Sequence, residues 1–306
     1  MPAVPQTALV LRAFYLAASA LILVIHVTPA LKCRFLPYGS RATAPATDKS
    51  TATHHPPREA PPRELSPRTS ETRPVALTQL LDYAASLRVP HSWFTHFYVL
   101  SVASSLIWGY HVRLYHPTTP AHVQTTWLFM LLQGLRRFLE SSTYTSSSKS
   151  RMWVGHWLLG FIFYLSVNVA VWVEGVGGTG AQELGDRWMW KAAVLVPAVL
   201  TAHGLQHVYH AYLYRLRTQN KGYQLPAHPL FPNLLCPHYT CEIAIYLLLS
   251  FLAARPDKIV DWTLLSATVF VAVNLGVTAE GTRDWYVEKF GKDKIEKRRR
   301  MIPWIW

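Results

Sequence analysis

The chain has 306 residues, half of them hydrophobic and only 15% charged, with 30 Lys and Arg against 17 Asp and Glu for a formal charge of +13. A soluble domain ordinarily carries about 25% charged residues, so this composition excludes an ordinary soluble enzyme and a disordered chain. Cys33, Cys236 and Cys241 form no CxxC pair, give neither a disulfide framework nor a Cys-rich zinc site, and read as packing residues.

Residues 9–31 form the first apolar run, interrupted by Arg12. A bilayer-spanning helix needs about 20 mostly apolar residues. The run exceeds a signal-peptide core and no small-x-small cleavage site follows, so residues 1–31 read as a first transmembrane helix. Residues 32–91 change to Pro, Ser, Thr, Arg and Glu, with His54-His55-Pro56-Pro57 and Pro61-Pro62 inside. That stretch is too polar to bury a core and reads as a disordered or extended cytosolic loop. Within residues 92–306, apolar runs follow at 93–115, 122–139, 152–173, 188–214, 239–254 and 262–278. The third and sixth spans are short, and Pro197 is expected to kink the fifth. The predicted fold class is therefore all-α, a polytopic integral membrane protein of about seven transmembrane helices.

Lys and Arg favour the cytosolic side of short loops. Arg136 and Arg137 at the entrance to one loop, Arg215, Arg217 and Lys221 after the fifth span, and the tail from Lys289 to Arg300 all fall on one side if there are seven spans. The other side receives Glu174, Glu183 and Asp186 against Arg187. This pattern puts the N-terminus in the lumen or outside and the tail in the cytosol. The basic surplus then fits a lipid headgroup surface or a phosphate-bearing cofactor, with no nucleic-acid site and no protein partner indicated.

Gly175-Val176-Gly177-Gly178-Thr179-Gly180 satisfies GxGxxG but follows a membrane-length helix, so it reads as a turn and not as a dinucleotide fingerprint. His203, His207 and His210 fall on one face of the fifth span beside Gln206, too few for the histidine boxes of a di-iron site. Polar side chains inside a membrane helix usually face a cavity, so an organic ligand site is the better reading, with interhelical hydrogen bonding as the plain alternative. Arg136 and Glu140, at i and i+4, can pair. His96, in Trp93-Phe94-Thr95-His96-Phe97-Tyr98, sits just inside an apolar helix.

Several residues in order then carry a resemblance: Gln206-x-x-x-His210, Leu216-Arg217, Tyr223-Gln224-Leu225-Pro226, Pro237-His238-Tyr239-Thr240-Cys241-Glu242, Asn274, and Trp285-Tyr286 through the basic run to Ile302-Pro303-Trp304. Together they resemble the C-terminal domain of the steroid 5α-reductase family, most closely its polyprenol (polyprenal) reductase branch. That branch also has segments similar to residues 89–98 and to the Arg-Arg-x-x-Glu at 136–140. The resemblance runs from about residue 89 to 306. It implies seven helices in the endoplasmic reticulum membrane and NADPH-dependent saturation of a carbon–carbon double bond. It further implies a long-chain polyisoprenoid substrate and a product that supplies dolichol phosphate for protein N-glycosylation. Carried over by motif, the cofactor-binding candidates are Gln206, His210, Arg217, Tyr223, His238, Glu242, Asn274 and Tyr286. Gln224 stands where steroid-reducing members carry Arg, His238 where many have Asn, and Arg283 where a His is common. The Glu and Tyr that grip a steroid carbonyl have no clear counterpart, which argues against a steroid substrate.

Chemistry narrows the acceptor. Hydride adds readily to an alkene only where the developing charge is delocalised, as in an α,β-unsaturated aldehyde, and a plain allylic alcohol offers no such sink. Polyprenal is thus favoured over polyprenol. A donor to the aldehyde oxygen is then required, and His96 or Glu140, with Tyr144 in reserve, are the candidates. The competing readings are reduction of a trans-2-enoyl-CoA or another enone, and a non-catalytic lipid-binding or scaffold protein in which the polar residues join helices.

Overall fold

A computed structural model describes residues 5–37, 75–144, 150–176, 185–220, 222–303 and 305–306. Ten α-helices follow one another among them: α1 (Gln6–Val27), α2 (Pro29–Phe35), α3 (Val75–Ser86), α4 (Phe94–Tyr115), α5 (Ala121–Thr143), α6 (Val154–Val173), α7 (Gly185–Thr218), α8 (Pro237–Leu252), α9 (Trp262–Phe290) and α10 (Lys292–Ile295). Two short strands, β1 (Arg88–Pro90) and β2 (Arg151–Trp153), pair antiparallel with Val89 opposite Met152.

Local chemistry sets the boundaries. Pro29 and Pro237 occupy the first turns of α2 and α8, where a missing N–H costs no helix bond. Asp261 caps α9 by accepting from the Leu264 amide at 2.9 Å, and Gly291 ends it at φ 90, a conformation that disfavours a side chain. The helix α7 continues through Pro197 for 34 residues.

The helices associate as α1 on α9, α9 on α8, α8 on α7, and α4 on both α5 and α6. Their common core is aromatic and aliphatic, with Tyr15, Phe163, Tyr246, Leu249, Leu264 and Phe270 buried in it. Close approach is visible at Gly160, where an added Cβ would lie 2.6 Å from the Phe97 ring. Large apolar residues also point outward, among them Val10, Leu21, Ile107, Leu158 and Val194. Such an apolar exterior suits lipid as the surrounding medium.

Among the described residues three helices, α1, α6 and α9, are long and apolar enough to cross a membrane. Length and apolarity alone therefore do not reach the expected seven. The helix α8 has only 16 residues, while α4 and α5 carry polar inward faces, with Ser101, Ser104 and Ser105 on one and Gln133 and Glu140 on the other. Order also extends into both ends of the stretch expected to be loop. The α2 helix reaches Phe35, and α3 and β1 occupy 75–90, fixed where Trp153 packs on Phe35 at 4.5 Å and donates its indole N–H to the Ala84 carbonyl. Most of the Pro-rich stretch, and the glycine turn beyond Val176, lie outside the described residues.

At one end of the bundle the start of α1, the end of α6 and the start of α9 meet. Arg12 donates to Glu174 at 2.6 Å and to Thr263, whose amide and hydroxyl also bond Glu174. Burial would raise the Glu174 carboxyl, but the Thr263 and Arg12 hydrogen bonds outweigh it and hold the group below the ordinary range. Asp261 is pushed up to about 7, by burial first and by the charge of Glu174 second. At the opposite end Lys32 of α2 meets Glu280, late in α9, at 3.3 Å.

Candidate functional site

Helix α5 carries the charge. Arg136 and Arg137 fall four and three residues before Glu140, so both reach its carboxylate, Nη1 of Arg136 at 2.7 Å from Oε1 and Nη1 of Arg137 at 2.6 Å from Oε2. Helix α7 adds the imidazoles: His207 Nδ1 lies 2.8 Å from Oε1 and His210 Nδ1 2.7 Å from Oε2. Glu140, only 3% exposed, is thus held from four sides. Arg136 also donates to His203 Nδ1, to Gln133 at 2.6 Å and to Gln206. Gln133 and Gln206 in turn donate to the two oxygens of Glu242 on α8. Two guanidiniums therefore face two carboxylates in one network across α5, α7 and α8, which balances the buried charge.

His210 Nδ1 is near both Glu140 and Arg137, 2.8 Å from Nη1 of the latter. A guanidinium can only donate. With its hydrogen on Nδ1, His210 donates to Glu140 and keeps Nε2 as an acceptor.

Above this network lies a cavity of about 370 Å³. Its polar lining includes Arg137, Gln206, His210, His238, Glu242 and Asn274, and its apolar walls include Phe94, Phe97, Phe163 and Phe270. Tyr98, Tyr164 and Tyr246 reach it from α4, α6 and α8, while His91 and Met152, beside and within the β ribbon, border it as well. A second cavity of about 670 Å³ lies among α1, α2, α6 and α9, lined by Leu21, Ile25, Phe35, Leu158, Ile162 and Val277 among others. His156, Leu159, Asn274 and Thr278 line both cavities, so the two lie side by side. Leu21, Leu158 and Ile162 are also exposed on the outer face, so the second cavity borders the surface that lipid would cover.

Five of the eight cofactor candidates, Gln206, His210, His238, Glu242 and Asn274, line the smaller cavity together. Arg217 and Tyr223 form a separate pair, the guanidinium 3.9 Å from the ring centroid, with Lys289 at 5.1 Å and Trp285 edge-on to Tyr223. Tyr286 packs beside Trp285, against the cluster of Leu235 and Ile295. The donor candidates separate. Glu140 does not line the cavity and reaches it through Arg137, through His210 and, by way of Arg136, through Gln206. His96 is exposed beside Trp93, and Tyr144 stacks on Tyr214 at 4.9 Å, so neither lines the cavity. The physical reason for His96 is helical phase: about 100° per residue carries Tyr98, two positions on, to the opposite side. Gln133, Tyr98 and Tyr246 were not singled out from sequence. Their signal is a hydroxyl or amide in an otherwise apolar span, at the level of the α5 arginines.

A family model described as 3-oxo-5-alpha-steroid 4-dehydrogenase matches residues 152–306, slightly more than half of the chain. Among similar proteins, polyprenal reductase 1 of Oryza sativa subsp. indica is 24% identical over 78% of this chain and 85% of its own. The polyprenal reductase of Saccharomyces cerevisiae is 28% identical over 74% of this chain and 79% of its own, and that of Caenorhabditis elegans 27% over 72% and 80%. With a match that begins at β2 and takes in the α7–α8 side of the charged network, most of the cavity lining and all eight cofactor candidates, this chain belongs to the 3-oxo-5-alpha-steroid 4-dehydrogenase family.

Proposed function

We propose that the chain is an NADPH-dependent polyprenal reductase of the endoplasmic reticulum membrane, which saturates the α-isoprene double bond of polyprenal to give dolichal for dolichol phosphate supply to N-glycosylation. The observation that carries this reading is the adjacency of two unlike cavities, between which we place a passage past the side chains they share. One has a charged and amide-bearing floor, and the other is apolar and borders the lipid-facing surface. Their volumes fall within the range of about 300–1,000 Å³ usual for ligand pockets. The printed names of the rice, yeast and worm relatives point the same way. The spans are then α1, α4, α5, α6, α7, α8 and α9, with the basic tail in the cytosol.

The lining fits the proposed cofactor. His238 Nδ1 is buried with no hydrogen-bond partner among the described residues, and its neighbours Gln206, Glu242 and Asn274 offer both donors and acceptors, as a carboxamide requires. Arg217 and Lys289, at the far end of α7 and α9, suit phosphate, and Tyr223 and Trp285 offer aromatic faces. When bound, NADPH supplies the hydride. The chain supplies everything else: Glu140 fixes Arg137 and His210 as a positioning residue, the phenylalanine walls exclude water, and the Leu159 passage leads the isoprenoid tail outward.

The test uses purified protein in detergent with NADPH and either a polyprenal or the matching polyprenol, with the lipid products followed by mass. Dolichal from the aldehyde alone is the expected result. Conversion of the alcohol alone would overturn the enal argument, and turnover of a trans-2-enoyl-CoA without either would shift the assignment to that reductase. Failure to bind NADPH at all would favour a non-catalytic lipid-binding protein.

A further inference from the structure

Two hydroxyls in the smaller cavity have chemistry that the charged network leaves unused. Tyr98 on α4 is 6% exposed and accepts a hydrogen bond from Arg137 Nη2 at 2.7 Å. Because a guanidinium is only a donor, this bond occupies a lone pair and leaves the phenolic hydrogen free, and among the described residues nothing accepts it. A cation beside that oxygen stabilises negative charge as it develops there during proton transfer. Tyr164 packs edge-on against the Tyr98 ring, at 5.7 Å, and limits its rotation. Tyr246 on α8 is 1% exposed, and its hydroxyl has no hydrogen-bond partner among the described residues. Buried hydroxyls are nearly always paired, so an orphan on a cavity wall marks a position where a ligand atom belongs. Tyr98 and Tyr246 both line the smaller cavity. They differ from every residue proposed for the cofactor, and they sit beside the phenylalanine walls.

We propose that Tyr98, backed by Arg137, and Tyr246 together bind the carbonyl oxygen of an α,β-unsaturated aldehyde, with Tyr98 as the catalytic proton donor. This rests on the polyprenal reductase reading and assigns the donor that it requires. As hydride, from the reduced nicotinamide named above, adds at the β-carbon, the carbon–carbon π bond breaks and its electron pair moves through the α-carbon to the oxygen. The Tyr98 proton passes to that oxygen, and the phenolate left behind is held by Arg137 and by the α5 network. The enol then takes a solvent proton at the α-carbon, the carbonyl re-forms, and the oxygen-bound proton returns to Tyr98. The sum is one hydride and one proton across the double bond.

The test reads the carbonyl directly. Polyprenal carrying carbon-13 at its carbonyl is bound to the cofactor-free protein, and its stretching frequency is measured by infrared difference spectroscopy. In the wild type the stretch is expected below its value in detergent micelles. Tyr98→Phe should recover most of that shift, and Tyr98→Phe with Tyr246→Phe all of it. In turnover, Tyr98→Phe should lower kcat about 100-fold with KM for the aldehyde changed far less. Saturable NADPH binding at wild-type affinity shows that the variants are folded. An unchanged stretch in the double variant, or wild-type kcat in Tyr98→Phe, overturns the proposal. A wild type that binds the aldehyde with the shifted stretch but never reduces it would instead overturn the reductase reading and leave the carbonyl clamp standing.

Discussion

Arg137 and Glu140 lie three residues apart on α5, and their 2.6 Å bond turns a helix that faces the interior into a charged platform. The carboxylate is the shared acceptor for both arginines and both nearby histidines. Glu140→Gln keeps an acceptor oxygen but removes the charge, and leaves two guanidiniums with Glu242 as their remaining carboxylate. Breaking such a buried pair costs about 3–5 kcal/mol. The expected outcome is a clear drop in Tm in detergent together with loss of NADPH affinity, while Tyr144→Phe, which leaves the network whole, holds both near wild type.

Leu159 borders both cavities. A bulkier side chain there would narrow the proposed passage between them. Leu159→Trp should raise KM for a long polyprenal about tenfold or more, while an enal short enough to fit wholly within the smaller cavity is turned over at close to the wild-type rate. Equal effects on both lengths would show that the tail takes another route.

The Arg217 guanidinium rests on Tyr223 at 3.9 Å, with Lys289 5.1 Å from the same ring. If this corner holds the extra phosphate that distinguishes NADPH from NADH, Arg217→Ala should raise KM for NADPH about tenfold, equivalent to about 1.4 kcal/mol, and leave that for NADH nearly unchanged. Product identity is expected to stay the same, since the corner is remote from the carbonyl clamp.

Asp261 titrates near 7 in the folded chain, far above its ordinary value, because it is buried and faces Glu174. A raised carboxyl pKa means the folded state holds a proton that the unfolded state has released. Stability from this group is therefore fully present below the ordinary aspartate range and is lost as pH rises toward 7, with a slope of up to about 1.4 kcal/mol per pH unit. Glu174 is lowered, so its contribution is complete above the ordinary glutamate range and is lost only on acidification. Histidines of the unfolded chain also take up protons below about pH 6.5, so the Asp261 contribution is read as a difference from a variant that lacks it. Between about pH 5 and 7 the wild-type Tm should fall relative to that of Asp261→Asn, which can still accept from the Leu264 amide but has no carboxyl to titrate; a constant difference between the two would show that Asp261 does not hold its proton.

Much of this was legible in the sequence, and the reasons differ by feature. Apolar runs marked α1, α6 and α9 because length and hydropathy act locally. The Arg136–Glu140 pair was legible from helical spacing, and His203, His207 and His210 from sharing a face. What joins them was not. That Glu140 serves α7 as well as α5, that Gln133 bridges Arg136 to Glu242, and that Tyr98 and Tyr246 share a wall depend on helix rotation and on packing between residues about 70 to 150 apart in the chain. His96 and Tyr98 show the limit plainly, since two neighbouring polar residues in one motif end on opposite sides of a helix. The ends of the Pro-rich stretch were hidden for a related reason: α3 and β1 are anchored by Trp153, which follows them by more than sixty positions.

The backbone of residues 233–236 is bonded to a much later segment. Arg299 donates to the Asn233 carbonyl at 2.7 Å, while Leu235 and Cys236 donate to the carbonyls of Arg299 and Arg300, and Thr240 donates to that of Met301, 61 residues beyond it. These bonds set the start of α8, the turn that carries His238 and Glu242 to the cavity. During synthesis, then, α7 and α8 are made before the segment that fixes their register. Until α9 has followed and residues 299–301 have crossed back over the loop, the chain is a set of helices without a finished floor. Assembly of the site is a late event, gated by the order in which the chain is made, and a fusion or truncation that disturbs residues 299–301 would stall maturation without touching any residue that meets a ligand.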